Sequence, residues 1–533
     1  MFRSMAPKLL FFILSCAALF YIATASSPKI HGDGREYILM SQSLLNHASS
    51  NLKEKDIKDT VDSFKRKSHD FNDFYLNCEQ HKDCGVSLLI NKGYFHSNEG
   101  NLYSYHFYFY SLVNIPALLI SNAISASPTT AFYLTNTMFF IISLYFIVFL
   151  LRDKFSYKIL ILLLFSSKVT LAYLKWPHPE AITVSLLVIS LCLIKQKQLY
   201  WASLIFAFAS LQYQPLGIIS AIILIYAFIN DIKEHEIKSL NDLLINKKLI
   251  TRSIIFAIVS GMIVLAPSMF YLYHFSTPNL IASIGASKSE LITFSRFISM
   301  YYDLNQGAIL LFPVVLLLSP ICFIASFFSI KKERSKNVIL FTIISAASVI
   351  PCLTTTNWNS GAENVMRYAF WVSIPLIFAF VEFIFSIKNN KLKTTIILIT
   401  IVSQIVIFTM QKKEKYFSSS HTVPSYIALA FYNHIPPLYN PEAEIYIERA
   451  FNAELPLRDI MSGKKYPGYV KRGYLKKLIA PANMDVSLLN PCHNVTPSIK
   501  ATSDGWVYYN YGNNCQVADK SKTGVVMFSP RQQ

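Results

Sequence analysis

Charged side chains are in short supply in this chain: they make up 15% of its 533 residues, against 53% hydrophobic residues. With a mean hydropathy of +0.37, that balance excludes an ordinary soluble globular protein and makes a lipid bilayer the expected solvent. Within the long apolar runs charge is nearly absent, essentially Lys168 and Glu382. Internal repeats and low-complexity tracts are also missing. Both absences argue against a transporter or flippase of lipid-linked sugars, which needs charged or broken helices along a central path and is commonly built from repeated halves.

The charge that is present is lopsided, with 49 Lys and Arg against 31 Asp and Glu and a formal net charge of +18. A basic surface of that size suits nucleic acid, but here the basic residues sit in short clusters between apolar runs, where they orient helices. Nucleic acid is therefore not an expected partner.

Apolar runs near the length that crosses a bilayer predict about eleven spanning helices. Their approximate ranges are 8–26, 129–151, 159–175, 180–194, 199–213, 216–230, 253–274, 307–330, 337–354, 370–387 and 394–410. The first run reads either as an anchor or as a cleaved export signal ending at Ala23-Thr24-Ala25. Basic clusters at Arg3/Lys8, Arg152 to Lys158, Lys195/Lys197, Lys233 to Arg252, Lys331 to Lys336 and Lys388 to Lys393 all fall on one side, which is predicted to be cytoplasmic. The segment 27–128, the turns near 176–180 and 212–215, the loops 275–306 and 355–369, and the tail then face outward.

The cysteines divide the same way. Cys16, Cys192, Cys322 and Cys352 lie inside predicted spans, whereas Cys78, Cys84, Cys492 and Cys515 lie in external segments. An even external count suits disulfides, and of three possible connectivities local pairing joins Cys78 with Cys84 and Cys492 with Cys515. The expected organisation is a transmembrane domain over 1–410, with the external loop 27–128, and a small external α/β domain over 411–533. In that tail, short β-favouring pieces such as Trp506-Val507-Tyr508-Tyr509 replace the long apolar runs.

Directly after the first run comes His31-Gly32-Asp33-Gly34-Arg35-Glu36-Tyr37. Glycine on both sides of Asp33 permits a tight backbone with an exposed carboxylate at the membrane surface. Asp33 is placed to act as a general base, or simply to cap the helix that starts near Arg35. His178 and Glu180 in Trp176-Pro177-His178-Pro179-Glu180 are placed to bind sugar hydroxyls, or only to start a helix. Tyr105 and its aromatic neighbours suit either a sugar ring or the bilayer interface.

An acidic motif after the first span, followed by Tyr103-Ser104-Tyr105-His106-Phe107 with Pro116, Trp176 to Glu180, and Asp303-Leu304-Asn305-Gln306-Gly307 with Pro313, resembles the GT-C class of polyprenyl-phosphate-dependent glycosyltransferases. That class includes protein O-mannosyltransferases and lipid A aminoarabinose transferases. The resemblance covers roughly residues 8 to 410 by order of elements. In size and plan it is nearest to the phage-type glucosyltransferases that alter O-antigen. It implies an all-α polytopic membrane enzyme with Asp33 as catalytic base and Glu36 as the nearest second acid. Tyr37, Tyr105, His106, His178, Glu180 and Asp303 would meet substrate.

The leaving group would be a polyprenyl phosphate, and Lys168, Lys175 and Arg367 are the candidate cations for it. Lys168 also reads as a snorkelling residue and Arg367 as an interfacial anchor. Many members carry two adjacent acids where this chain has Asp33 followed by Gly34, so no metal-binding acidic pair and no cofactor are expected. The expected partners are the bilayer, a polyprenyl-phosphate sugar donor, a glycan acceptor, and an upstream donor synthase and flippase. The expected location is a bacterial inner membrane, with the N-terminus cytoplasmic and the tail periplasmic. A lipid A or protein glycosyltransferase of the same class fits the same residues.

Overall fold

The computed structural model describes residues 2–24, 30, 33–67, 90, 93–237, 246–358, 367–412, 423–451, 465–484, 489, 492, 495–502 and 505–529. The chain is mostly helical and divides into two compact units interleaved along the sequence. The first comprises Met1–Gly285, Cys322–Ser348 and Ile374–Asn389; the second comprises Ala286–Ile321, Val349–Ser373 and Asn390–Gln533. The compositional break at 410 falls inside the second unit.

Among the described residues, six helices are long and apolar enough to cross a bilayer: Pro128–Leu150, Leu216–Glu234, Lys247–Phe275, Glu333–Cys352, Arg367–Ser386 and Asn390–Met410. A seventh arises if Phe155–Phe165 and Val169–Lys175, bent by 62° at their junction, count as one. Sequence led to about eleven; the run at 8–26 lies in the 23-residue helix Phe2–Thr24, and local structure distinguishes the other four. Ser167 breaks the 159–175 run by capping a new helix, its side chain accepting from the Thr170 N–H. The helices Leu199–Ser210 and Pro313–Phe327 have 12 and 15 residues. The 16-residue helix Glu180–Lys195 is buried at every position from Glu180 to Ile194, and an apolar run of that length looks the same whether neighbours or lipid cover it.

Two of the six are barely covered by protein, with 11% of the apolar window buried in each of Lys247–Phe275 and Asn390–Met410. Ile255, Ile258, Met262 and Leu265 on one, and Leu398, Val402 and Ile405 on the other, are exposed. In the first unit the interior carboxylate of Glu382 is fully buried and compensated: Arg334 contacts it at 3.0 Å, Lys195 pairs with it, and the Tyr157 hydroxyl donates to it at 2.9 Å.

The first unit also carries a short hairpin, β1 (Tyr94–His96) and β2 (Leu102–Ser104). The second unit ends in an antiparallel five-stranded sheet of β3 (Tyr466–Lys471), β4 (Tyr474–Pro481), β5 (Ser498–Ala501), β6 (Trp506–Asn510) and β7 (Gly524–Phe528), in the order β5-β6-β4-β3-β7. Arg472 and Gly473, at φ 50° and 79°, form the two-residue turn between β3 and β4. Positive φ at both positions is what a tight hairpin requires. The sheet packs with the helices Tyr426–His434 and Ala443–Phe451 around Tyr432, Tyr446, Leu478 and Tyr508. Cys492 and Cys515 are joined in a disulfide, while Cys78 and Cys84 lie outside the described residues.

Candidate active site

Asp33 precedes the helix Gly34–His47, and its carbonyl accepts the first helical hydrogen bonds from Glu36 N–H at 3.0 Å and Tyr37 N–H at 3.3 Å. Its side chain makes no capping bond, so the carboxylate serves something other than the helix end. One oxygen, Oδ2, lies 3.3 Å from His178 Nε2 and 3.7 Å from His106 Nε2. The other, Oδ1, accepts from the Tyr105 hydroxyl at 3.4 Å.

One helical turn further on, Glu36 falls on the same side as Asp33. Its Oε2 accepts from the Ser104 hydroxyl at 2.8 Å and lies 3.0 Å from His106 Nδ1. Burial pushes the Glu36 carboxyl up to about 7, helped by the Asp33 charge and opposed by His106. Gly93 leaves the space beside it: at φ 104° a Cβ there would stand 2.3 Å from Glu36 Oε1. Only glycine meets both demands without strain. The β1–β2 hairpin thus brings Gly93, Ser104 and His106 to the start of this helix.

On the other side of Asp33, His178 is 2% exposed and stacks on Trp176 with ring centroids 3.9 Å apart. Its Nδ1 hydrogen-bonds the fully buried carboxylate of Glu180, which also accepts from the Tyr213 hydroxyl. Tyr37 packs its ring 5.4 Å from His106 and 5.5 Å from His178, and its hydroxyl accepts from Gln212 Nε2 at 2.9 Å. The result is an alternating row of Glu36, His106, Asp33, His178 and Glu180, with Asp33 at its centre. Each imidazole faces a carboxylate on both sides. Asp33, Glu36 and His106 offer donor atoms within 4.8 Å of one another, a set able to hold a cation.

Comparison with protein-family models, curated proteins and solved structures finds no match to this chain.

Seven of the residues singled out from sequence therefore meet in the first unit: Asp33, Glu36, Tyr37, Tyr105, His106, His178 and Glu180. Lys175 ends the helix Lys168–Lys175, three residues before His178, and is half-buried. The Lys168 side chain lies outside the described residues. Arg367, in the second unit, is the first residue of the helix Arg367–Ser386, and its guanidinium lies 5.4 Å from the Tyr368 ring centre.

Asp303 also belongs to the second unit and is 5% exposed. Its Oδ1 accepts the N–H groups of Asn305 and Gln306 at 2.7 and 3.0 Å, and its Oδ2 accepts the Tyr439 hydroxyl at 2.9 Å. Those bonds tie it to its own turn and to the helical layer of the tail. A Cβ on Gly307 would stand 2.5 Å from the Asp303 nitrogen, so the Asp303-to-Gly307 motif follows local turn packing. Burial raises the Asp303 carboxyl above its ordinary range.

Sequence reading missed Tyr213, Ser104, Gly93 and Gln212 as parts of the site. The Gln212-Tyr213-Gln214-Pro215 turn was placed on the same external side as His178, the one signal that pointed to Tyr213.

Proposed function

We propose that this chain is a polytopic membrane glycosyltransferase that moves a sugar, glucose by preference, from undecaprenyl phosphate to an envelope glycan such as O-antigen on the external face of a bacterial inner membrane. The observation that carries the reading is Asp33: a carboxylate immediately before the first helix after the N-terminal apolar helix, excused from capping and held between two imidazoles. Membrane embedding is supported by helices whose Ile, Leu and Met side chains are exposed all along their length. Each such side chain left in water forgoes about 1.5–3 kcal/mol of burial.

In the reaction, the acceptor hydroxyl gives its proton to the Asp33 carboxylate as its oxygen bonds to the anomeric carbon. The bond from that carbon to the phosphate oxygen breaks, and the electron pair leaves with the polyprenyl phosphate, inverting the centre. His178, fixed by Glu180 and Tyr213, holds Asp33 in place. Lys175, three residues before His178 and in the same unit as Asp33, is the side-chain cation offered to the departing phosphate. The lipid, the donor and the acceptor glycan are the partners; a donor synthase and flippase upstream would supply the lipid-linked sugar.

The test is transfer of labelled sugar to endogenous envelope glycan in membranes that carry the chain, over a panel of polyprenyl-phosphate sugars. Transfer with one donor, absent from control membranes, supports the reading. Movement of intact lipid-linked sugar across the bilayer without transfer shifts the weight to a flippase.

A further inference from the structure

In the second unit, the nine-residue helix Phe294–Tyr302 wears its faces the wrong way round for a helix that meets water. Thr293 caps it, its side chain accepting from the Arg296 N–H at 3.2 Å. The polar side chains turn inward. Arg296 is buried, with its guanidinium 4.7 Å from the Trp358 ring centre and donating to the Leu353 and Thr355 carbonyls at 3.1 and 2.8 Å. Ser299 accepts from Trp358 Nε1 at 3.3 Å, and Ser295 donates to Glu442. The apolar side chains turn outward: Phe294 is 78% exposed, Ile298, one turn on, is 38% exposed, and Ile292, just before the cap, is 46% exposed. Arg296 is the one charged residue of the helix, so the outward edge carries no charge. A buried arginine beside an exposed phenylalanine marks an outer side that meets something apolar.

We infer that this helix is a monotopic membrane anchor. Its edge of Ile292, Phe294 and Ile298 enters the boundary between headgroups and acyl chains in the leaflet on the tail side, and through it the bilayer surface holds the tail in place. The partner is phospholipid, and the inference does not depend on the transferase reading.

Depth and continuity within the unit select lipid over a protein partner. Tyr302, at the end of the helix, donates its hydroxyl to the Leu316 carbonyl at 3.0 Å, in the first turn of the apolar helix Pro313–Phe327. Gln404 donates to the Leu311 carbonyl at 3.0 Å. Gln404 lies six residues before the end of the membrane-length helix Asn390–Met410, which is about 9 Å at 1.5 Å per residue. The chain that leaves Phe294–Tyr302 therefore meets a span just inside its tail-side end. An interfacial helix buries its apolar edge to about that depth, 5–10 Å. The same two helices expose Leu317, Val402 and Ile405, side chains that call for lipid, so the outward edge continues a surface that lipid covers.

The anchor is also fastened to the tail. Glu444, on the helix Ala443–Phe451, accepts the Trp358 N–H at 2.6 Å. Ser425 donates to the Leu304 carbonyl, and Asn305 donates to the Tyr439 hydroxyl at 2.9 Å. The five-stranded sheet packs on that helical layer, so a hold on Phe294 is a hold on the tail.

The experiment places the photo-crosslinker p-benzoylphenylalanine at Phe294, and separately at Ile298, in the full chain in nanodiscs of phosphatidylethanolamine and phosphatidylglycerol. Both side chains are exposed, so the label displaces no core residue. Mass spectra after irradiation identify what each position touches. The expected result is a one-phospholipid adduct at both positions, in a yield within about threefold of that from the same label at Leu398, exposed midway along Asn390–Met410. Attachment should fall near the ester end of the acyl chain from Phe294 and deeper in the chain from Leu398. Adducts to a second copy of the chain, or no lipid adduct at Phe294 and Ile298 while Leu398 gives one, overturn the anchor.

The hold on the tail is read by amide hydrogen exchange in the same nanodiscs. Phe294→Ser with Ile298→Ser should speed exchange by about tenfold or more in Phe294–Tyr302 and in Ala443–Phe451, and leave the core strands β4 and β6 unchanged. Unchanged exchange in Ala443–Phe451, with the lipid adducts present, overturns the hold on the tail.

Discussion

His178 sets its Nε2 3.3 Å from Oδ2 of Asp33 while its Nδ1 is held by Glu180. The ring is stacked on Trp176 and nearly without exposure, so its orientation is fixed before any ligand arrives. In the proposed reaction it is a positioning residue for the Asp33 carboxylate. His178→Ala should lower kcat by about 10–100-fold while changing KM for the donor by less than about threefold. The Glu180→Gln and His178→Ala effects should be strongly non-additive, because both act through Asp33. Steady-state kinetics of the two single variants and the double variant check this.

Gly93 and Gly100 provide a matched pair. Both have positive φ, 104° and 79°, so alanine at either costs about 1 kcal/mol of backbone strain. A Cβ at Gly93 meets Glu36 Oε1 at 2.3 Å, whereas one at Gly100 meets nothing within 4 Å. Gly93→Ala should therefore depress transfer much more than Gly100→Ala. Equal losses would mean that the contact with Glu36 is unimportant.

Asp303 tests the distinction between a substrate ligand and a structural carboxyl. Burial raises its carboxyl above the ordinary range of an aspartate. The folded chain then holds that proton over a pH window in which the unfolded chain has released it. The associated stability is present at low pH and is lost as pH rises through the raised value. Relative to Asp303→Asn, which does not titrate, the native second unit should become less stable as pH rises from the ordinary Asp value of about 3.9 through the raised one. Thermal unfolding in micelles at several pH values measures it, and a native chain that gains stability relative to Asp303→Asn as pH rises would contradict the assignment.

The disulfide between Cys492 and Cys515 closes a stretch with a sequence separation of 23. A loop of that size constrains the unfolded chain by about 3 kcal/mol. Cys515→Ser should make the tail sensitive to limited proteolysis at temperatures where the native tail resists it. Digestion should leave the helices of the first unit unaffected.

How far the sequence was legible depended on whether a feature was local. Asp33 and Glu36 stood out because two glycines and an apolar run frame them within seven residues, His31 to Tyr37. Whether Asp33 capped its helix was undecidable from spacing, since capping and exposed carboxylates use the same residue at the same place. His178 and Glu180 were ambiguous for a related reason. Glu180 does sit in the first turn of a helix, and it is also buried against His178 and Tyr213.

Tyr213 acts across 33 residues, a relation that one sequence does not display. Asp303 is ambiguous for a local reason, because an Asp-to-Gly turn with its own hydrogen bonds has the look of a binding motif. The helices show a parallel limit. The run at 180–194 and the run at 253–274 are both apolar, yet the helix over the first is buried by protein and the helix over the second is almost bare.

The most direct test of the account is single-turnover transfer by the purified full chain with a defined polyprenyl-phosphate sugar, comparing the native protein with Asp33→Asn at matched folding and matched donor binding. The account predicts a fall in rate of about 10²–10⁴-fold with donor affinity essentially unchanged. Transfer by Asp33→Asn at the native rate would contradict it and remove Asp33 from the chemistry.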